Sequence, residues 1–264
     1  MQTANTIYKY RGHSKTFYRQ FFIKKKNGRH RRICAPSPEL LAFQRSELHS
    51  LAQLFSNRST LIFGPHDRDI FHGFLKDRNI VTCAEKHIGF DHTICLDISN
   101  CFDSITDTML NMDLDPRLLH QDGSLAQGFS TSPILANIYL TAPVSKLLPK
   151  IRQVAPEAVV TVYADDLHIS LNNASYQKLN LIIKLAIIEF AKHHLTINPR
   201  KTRIRHAKFG NRRILGIMVD DTLKPSRKLK KKIRAARFQR NGPSLGGLTT
   251  ASRCLKPRAL RVES

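Results

Sequence analysis

Two adjacent carboxylates stand in the middle of the most strand-like stretch of the chain, residues 159–170. β-Branched residues lead into Asp165 and Asp166, and apolar residues alternate with polar ones after them. This pattern predicts a β-hairpin with both acids at or beside its turn. At a tight turn, neighbouring carboxylates stay close together and hold divalent cations. A solvated turn is the ordinary interpretation of an isolated Asp-Asp pair, but the flanking apolar strands favour a metal site.

The charge balance favours polyanionic partners. The 264 residues include 43 Lys and Arg against 20 Asp and Glu, which gives a formal net charge of +23. Such a field attracts nucleic acid through counterion release, whatever the base sequence. Proteins of membrane surfaces are also often basic. However, no stretch approaches the roughly 20 apolar residues of a transmembrane helix, so we expect no membrane partner.

The cysteine content and the N-terminal residues favour one cellular location over others. The five cysteines are odd in number and include no Cys-x-x-Cys pair. This favours reduced thiols over a disulfide framework or a zinc site. The first six residues contain no apolar signal core. We therefore expect a cytoplasmic protein.

A third acid ends another apolar strand. Residues 93–98 are predicted to form a buried strand in which Asp97 is the last polar residue. A single Asp at such a place is more often a turn or helix cap. Together with Asp165 and Asp166 on neighbouring strand ends, it supplies the three carboxylates that a two-metal phosphoryl-transfer site requires. Mg²⁺ suits such carboxylate oxygens and the phosphates of a substrate.

Cations are dense near the N-terminus. Residues 17–23 are aromatic and β-prone, and residues 24–33 are rich in Lys and Arg around Asn27-Gly28, a strong hairpin signal. A charged edge strand that resists pairing and a clamp for phosphates are both consistent with this hairpin.

Helix-like and strand-like segments alternate through the rest of the chain. Apolar spacing predicts helices over residues 39–55, 81–88, 134–151, 175–195 and 227–238. Residues 57–69 are predicted as a loop and residues 213–219 as a strand. Ser132 suits the N-cap of the third helix. The last helix has a thin apolar stripe among many cations, which favours a nucleic-acid face over a merely solvated one.

Several short motifs follow one another in a specific order. They are Leu96-Asp97-Ile98 with Phe102-Asp103-Ser104-Ile105, Gln127-Gly128 with Ser132-Pro133-Ile134-Leu135-Ala136-Asn137, Tyr163-Ala164-Asp165-Asp166, Asn198-Pro199-Arg200-Lys201-Thr202 and Leu215-Gly216. This combination resembles the bacterial reverse transcriptases of the retron, group II intron and defence-associated kinds. The hairpin over residues 24–36 resembles their fingers, and His72-Gly73-Phe74 resembles a block of the bacterial enzymes. The resemblance covers about residues 18–219.

The resemblance implies an α+β right-hand polymerase fold. Residues 1–90 would form the fingers, residues 91–220 a palm with an antiparallel sheet that carries the Tyr-Ala-Asp-Asp hairpin, and residues 221–264 a short, helical, basic thumb. The implied activity is that of an RNA-directed DNA polymerase, which adds dNTPs to a primer 3′ end. Asp97 and Asp165 would ligate two Mg²⁺ ions, or Mn²⁺ as a substitute. Asp166 would complete the catalytic triad, and the Ile98 carbonyl would be a further ligand.

Other roles are carried over by the same resemblance. The implied nucleotide-binding residues are Lys24, Arg31, Phe102, Gln127, Gly128 and Lys201. Phe102 would stack on the sugar and exclude a 2′-hydroxyl, whereas Lys201 would donate a proton to the leaving pyrophosphate. The implied nucleic-acid-binding residues are Arg29, Arg32, Tyr163, Arg227, Lys228, Lys230, Lys231, Lys232 and Arg234.

Some positions depart from the family pattern. Cys83 stands where retron enzymes usually have Asn, and Ile214-Leu215-Gly216 stands where they have Val-Thr-Gly. The predicted thumb is short, so we expect a structured noncoding RNA, a protein partner or self-association to complete the duplex cleft. The resemblance implies an RNA template and a DNA product in a retron-like or antiphage-defence system. A non-catalytic RNA-binding scaffold and template-independent or protein-primed DNA synthesis remain alternatives.

Overall fold

The computed structural model describes residues 6–10, 13–25, 28–64, 67, 69–210 and 212–238. The chain forms two compact units whose segments alternate along the sequence. The first unit comprises Met1–Arg68, Ile98–Pro149 and Ala186–Ile197, and the second comprises Asp69–Asp97, Lys150–Leu185 and Asn198–Ser264. The contiguous division into fingers, palm and thumb stays a prediction. Asn27 of the predicted turn and the thumb beyond residue 238 lie outside the described residues.

Strands and helices both contribute to each unit. The strands are β1 (Thr6–Tyr10), β2 (His13–Lys24), β3 (His30–Pro36), β4 (His92–Asp97), β5 (Val159–Tyr163), β6 (Asp166–Leu171), β7 (Arg203–His206), β8 (Arg213–Ile214), β9 (Ile217–Val219) and β10 (Leu223–Pro225). The helices are α1 (Pro38–Ile62), α2 (Ile80–Glu85), α3 (Cys101–Ser104), α4 (Asp107–Leu110), α5 (Ser132–Val154), α6 (Tyr176–Lys192) and α7 (Arg227–Phe238). Within the described residues, the strands pair antiparallel in three sheets, which confirms the predicted α+β class.

The largest element of the second unit is a four-stranded sheet in the order β5-β6-β4-β7. Residues alternate between its two faces. On one face the side chains are apolar and fully buried, as at Ile94, Leu96, Leu167 and Ile169. This alternation fixes the strand register, because a slip of one residue would exchange the two faces.

The other face of this sheet is polar but also buried. The His87 ring, which follows α2, lies 2.8 Å from the hydroxyls of both Thr161 and Ser170. Arg212 is fully buried and donates from Nε to the Thr93 hydroxyl at 3.1 Å and from Nη2 to the His87 carbonyl. Buried polar groups need such partners. The hydrogen bonds of His87 and Arg212 thus link this face of the sheet to the residues that cover it.

A small sheet, in the order β10-β9-β8, completes the second unit. Its apolar side chains and those of α2 form a cluster with α7, to which α7 contributes Leu229 and Ile233. The helix predicted over residues 227–238 is therefore confirmed in its bounds. Leu229 and Ile233 of its thin apolar stripe are buried.

The first unit contains the sheet β1-β2-β3 and helix α1. Ser37 caps α1, since its hydroxyl accepts a hydrogen bond from the Leu40 N–H at 3.2 Å. Tyr18 and Cys34 of the sheet pack with Leu40 and with Phe129 of the loop before α5. This cluster positions the loop that contains the predicted Gln127-Gly128 motif.

The predicted boundaries of three helices are wrong. α1 continues to Ile62, where a loop was expected from residue 57, because polar side chains on an exposed turn do not break a helix; Gly64-Pro65 comes later. α5 begins at Ser132 itself, so the predicted N-cap is misplaced by one residue. α6 ends at Lys192, since His194 adopts a left-handed φ of 54°.

Two shorter segments also differ from prediction. α2 begins at Ile80 and ends at Glu85 rather than spanning residues 81–88, and the turn after it brings His87 under the sheet. The strand expected over residues 213–219 is two strands, because Leu215 and Gly216 form a left-handed turn with φ of 50° and 87°. None of the helices in the described ranges is long and apolar enough to cross a membrane.

Candidate active site

The predicted carboxylates meet at one end of the four-stranded sheet. Asp97 ends β4 and pairs directly with Asp166, the first residue of β6. Tyr163 and Asp166 also pair, so Ala164 and Asp165 form a two-residue turn in which Ala164 has a left-handed φ of 55°. Directly opposed residues of an antiparallel pair have Cβ atoms about 5 Å apart. The hairpin prediction is confirmed: Asp166 lies directly opposite Asp97, and Asp165 is its neighbour in the turn.

Burial and like charges set the electrostatics of this acidic centre. Burial, followed by the charges of Asp165 and Asp97, raises the pKa of Asp166 from 3.8 to about 7, although Lys201 opposes the shift. Asp97 is 7 % exposed. Its carboxylate accepts from Lys201 Nζ at 2.5 Å and from Asn198 Nδ2 at 3.4 Å. Lys201 therefore contacts Asp97 directly and acts on Asp166 through its charge.

These residues fit a divalent cation. Three carboxylates supply hard oxygen donors, the ligand type that Mg²⁺ prefers. Burial and then the like charges of Asp165 and Asp97 raise the pKa of Asp166, and a bound cation would oppose that shift. Ile98 follows Asp97, is buried and bridges to Ile197. Its carbonyl as a further ligand stays a prediction.

The ionisation of Asp166 predicts a pH-dependent stability. Its pKa is higher in the folded protein, about 7, than the 3.8 of an ordinary aspartate. Without metal, the folded state therefore loses stability as the pH rises from about 4 to about 7, and the loss is complete above that window. We expect Asp166→Asn to raise the melting temperature by several degrees in a chelator-containing buffer at about pH 8. At about pH 4 the two proteins should melt alike.

The control for this measurement is Asp113→Asn, which changes an exposed aspartate of the first unit. It should leave the melting temperature unchanged at both pH values. An Asp166→Asn effect of equal size at both pH values would contradict the electrostatic explanation, because a packing effect does not titrate.

A segment that the sequence did not mark as functional supports the hairpin. Val162 of β5 donates its N–H to Ile70 at 2.7 Å and accepts from the His72 N–H at 2.8 Å. At Gly73, an added Cβ would lie 2.6 Å from the backbone nitrogen of Ala164. The glycine thus allows the segment to touch the turn that carries Asp165. The family resemblance at His72-Gly73-Phe74 drew attention to this segment. It did not indicate that the segment contacts the hairpin.

Aromatic side chains lie beside this turn. The Tyr163 and Phe74 ring centroids are 6.3 Å apart. Phe74 is 53 % exposed and has a left-handed φ of 60°, which is unusual for a residue other than glycine. An exposed aromatic surface of this kind suits the stacking of a base or a sugar.

In the first unit, Arg32 is part of a dense polar network. It donates to Asp103 at 2.9 Å, to Asp122 at 2.8 Å and to the Ser124 hydroxyl at 3.1 Å. Burial alone would raise the pKa of Asp122, but hydrogen bonds from Arg32 and Ser124 hold it well below its usual value. The Arg32 guanidinium, which was predicted to contact nucleic acid, thus already links β3 to the segments that contain Asp103 and Asp122.

The Gln127-Gly128 motif lies next to the same network. Gln127 Nε2 donates to Asp103 at 3.4 Å, and its carbonyl accepts from the Cys34 N–H at 2.8 Å. Gly128 has a φ of 112°, and a Cβ there would collide with the Cys34 carbonyl oxygen. Phe102, in the short helix α3, is half-buried. These nucleotide-binding candidates belong to the first unit, whereas the acidic centre and Lys201 belong to the second.

The remaining predicted cations are exposed in two regions, the β2–β3 hairpin and α7. Lys24 and Arg31 lie on β2 and β3, and Arg29 lies in the turn between these strands. In α7, the exposed cations are Arg227, Lys228, Lys230, Lys231, Lys232 and Arg234. Both regions present positive charge at the surface of their own unit.

Comparison with known proteins adds a family and a fold. The model of the family described as "Reverse transcriptase (RNA-dependent DNA polymerase)" matches residues 23–219. The chain is 27 % identical over 179 residues to the Retron Ec48 reverse transcriptase of Escherichia coli, covering 61 % of this chain and 42 % of the relative. It is 27 % identical over 252 residues to the Retron Mx65 reverse transcriptase of Myxococcus xanthus, covering 84 % and 56 %. The chain spans about half the length of these curated relatives.

Solved structures give the same fold. The telomerase of Candida albicans, in complex with a fragment of telomeric RNA, matches with a TM-score of 0.55 and 14 % identity over 79 % of this chain and 45 % of that one. The apo telomerase of Candida tropicalis matches with a TM-score of 0.56 and 15 % identity over 84 % and 50 %. At these identities the likeness concerns the fold alone, and it confirms the predicted right-hand polymerase fold.

Proposed function

The chain belongs to the reverse transcriptase (RNA-dependent DNA polymerase) family, and from this premise we propose that it extends a primer 3′ end with dNTPs on an RNA template. The acidic centre carries the proposal: Asp97, Asp165 and Asp166 meet at the ends of paired strands, and the pKa of Asp166 is raised to about 7. A protein that only binds RNA gains nothing from crowding three acids near a phosphate backbone.

We propose that the three acids hold two Mg²⁺ ions, for which Mn²⁺ is a substitute. When bound, such ions lower the pKa of an attacking hydroxyl and stabilise a leaving pyrophosphate. The protein's own part is to orient the carboxylates. Asn198 and Lys201 hold both oxygens of Asp97, and the Gly73 contact supports the Asp165 turn. The Lys201 ammonium, whose side chain is 60 % exposed, is proposed as the group that protonates pyrophosphate.

The nucleotide contacts that we propose involve residues of the first unit. Phe102 precedes Asp103, which Arg32 holds at 2.9 Å, so the segment that carries the ring is anchored to β3. A fixed aromatic ring suits stacking on a deoxyribose and exclusion of a 2′-hydroxyl. Lys24 and Arg31 are proposed to grip the triphosphate, and Gln127 and Gly128 to line the nucleotide pocket.

Nucleic-acid contacts are proposed for Arg29, Arg32 and Tyr163 and for the cationic face of α7. Replacing Lys230, Lys231 and Lys232 together by Ala should weaken RNA binding and reduce its salt dependence. The slope of log affinity against log salt should fall by about 0.7–0.9 for each phosphate that a lysine no longer neutralises. Because Ala favours helix, α7 itself should persist. Binding isotherms at several salt concentrations provide the measurement.

A matched control for α7 removes three exposed lysines from other helices, Lys146, Lys184 and Lys192. It lowers the net charge of the protein by the same amount. If α7 provides a specific face, the control should change the slope much less. Equal effects of the two triple variants would refute a specific role and leave only a diffuse field.

Primer extension tests the proposed activity directly. Purified protein with a primed RNA template, Mg²⁺ and dNTPs should lengthen the primer, and NTPs should be poor substrates. Failure to extend any primer, with added template or with copurified RNA, would overturn the proposal and favour an RNA-binding scaffold. Mass spectrometry of the protein for a covalently attached nucleotide would reveal protein-primed synthesis.

The biological setting is proposed from the relatives. Since these are retron reverse transcriptases, we propose a structured noncoding RNA as the template, in a retron-like or antiphage-defence system, with RNA or a protein partner completing the short thumb. The four cysteines within the described residues are free thiols, which suits a cytoplasmic location. Sequencing the RNA and DNA that copurify with the protein would identify template and product.

A further inference from the structure

We propose that Asp91, His92 and His206 form a second metal site, one that binds a single nitrogen-preferring divalent ion such as Zn²⁺. One potential ligand atom from each of these residues lies within 4.8 Å of the other two. The site is remote from the acidic centre, because His92 begins β4 whereas Asp97 ends it. Five strand steps of about 3.4 Å place the two ends roughly 17 Å apart.

Strand pairing brings the two histidines together. His92 and His206 are directly opposed in the β4–β7 pair, so their side chains project from the same face of the sheet. Their ring centroids are 4.3 Å apart, and the ring planes are nearly perpendicular at 88°. Asp91 precedes His92, and its Oδ1 lies 2.7 Å from His92 Nδ1. Two imidazoles and a carboxylate therefore share one half-buried place.

Backbone hydrogen bonds hold Asp91 in position. Its own N–H donates to Asn172 Oδ1 at 2.9 Å, and its carbonyl accepts from the Ala207 N–H at 2.7 Å. Its carboxylate Oδ2 accepts from the Asn173 N–H at 3.0 Å. Such outer partners orient metal ligands in protein sites. These bonds hold the Asp91 backbone and orient its carboxylate before any ion binds.

His206 presents a lone pair. Its Nδ1 accepts a hydrogen bond from the Lys208 N–H at 2.9 Å, and the nitrogen that accepts is the unprotonated one that a metal requires. An ion at this nitrogen replaces the Lys208 bond. Ligand atoms on a tetrahedral Zn²⁺ are about 3.3 Å apart, given bonds of about 2.0 Å. The donor atoms lie within 4.8 Å of one another, so the most distant pair must approach by up to about 1.5 Å. Asp91 Oδ1 and His92 Nδ1, which are 2.7 Å apart, must instead separate slightly if both bind the ion. Side-chain rotation supplies such changes.

The donor set identifies the class of ion. Imidazole suits Zn²⁺, Co²⁺ and Ni²⁺, whereas Mg²⁺ takes oxygen ligands and keeps its water. An ion here would tie the first residue of β4 to the end of the edge strand β7 and to the turn at Asn172 and Asn173. Because it binds only the folded sheet, it should raise the melting temperature.

Titration of the full chain with Co²⁺ or Zn²⁺, in excess Mg²⁺ to occupy oxygen-rich sites, tests the proposal. Wild-type protein should bind one equivalent, and Co²⁺ should give visible d–d absorption. His206→Ala and His92→Ala should each weaken binding by at least about tenfold, the lower limit seen when even an outer partner is removed. Asp91→Asn, which keeps an acceptor for Asn173, should weaken it as well. His49→Ala, an exposed histidine of α1, should bind like wild type.

X-ray absorption of the Zn²⁺-loaded wild-type protein decides the question even if a histidine variant fails to fold. A first shell with two imidazole nitrogens supports the site. A shell without histidine, no binding by wild-type protein, or unchanged affinity in folded His92→Ala and His206→Ala would overturn it and leave an ordinary Asp–His ion pair. None of these measurements depends on DNA synthesis, so failure of the proposed polymerase activity would not affect them.

Discussion

Asp165→Asn is expected to lower primer extension by roughly 10³-fold or more while leaving RNA binding nearly unchanged. The substitution keeps the size of the side chain but removes a charge from the turn between β5 and β6. Losing several kcal/mol of charge stabilisation in the transition state corresponds to a rate decrease of this size. Single-turnover extension on a primed RNA, at saturating dNTP, measures the effect together with an RNA-binding isotherm.

Two further variants make this result specific. Asp97→Asn should act like Asp165→Asn, because both acids belong to the same centre, and the two defects should not multiply when combined. Asp113→Asn, which changes an exposed aspartate in the other unit, should extend primers like wild type. Extension by Asp165→Asn at more than about a tenth of the wild-type rate would remove the acidic centre from the mechanism.

Gly73→Ala is expected to reduce extension by about 10²-fold without unfolding the protein. The added Cβ would lie 2.6 Å from the Ala164 backbone nitrogen, so the turn or the segment must move. The turn carries Asp165, and a displacement of about 1 Å at a reacting centre is enough for a loss of this size. The rate constant for extension and the melting temperature should be measured on the same preparation.

Gly64→Ala is the matched control for Gly73→Ala. Nothing lies within 4 Å of the position where its Cβ would be, and its φ is not positive. It should therefore extend primers and melt like wild type. If Gly73→Ala were fully active, the close approach would have no functional consequence. If Gly73→Ala no longer melted cooperatively, the close approach would be a requirement of folding rather than of geometry at the turn.

The acidic centre was predictable because its signals are local. A β-branched run before Asp165 and Asp166 and alternation after them predict a hairpin from neighbouring residues alone, and an apolar strand that ends at Asp97 needs a neighbour. Motif order supplied the pairing of these strands, which periodicity alone does not give. Another local signal, apolar residues four positions apart, located α7, whose stripe of Leu229 and Ile233 is short but regular.

The missed features depend on contacts between distant residues. The closeness of Gly73 to Ala164 requires knowledge that the segment around Ile70 and His72 pairs with β5. To predict that His92 and His206 face each other, one must know the register in which β4 and β7 pair. A charged residue such as Arg212 would be assigned to the surface from sequence, and only the polar face of the sheet explains its complete burial.

The alternation of the two units has a consequence for how the protein is made. Six segments of the chain are shared between them in turn, so neither unit forms from one continuous stretch. The four-stranded sheet lacks its edge strand until β7 has left the ribosome, although β4 is synthesised far earlier. Such long-range pairing slows folding and exposes strand edges in the meantime. A fragment that ends before β7 lacks the edge strand of this sheet, so it should aggregate rather than fold.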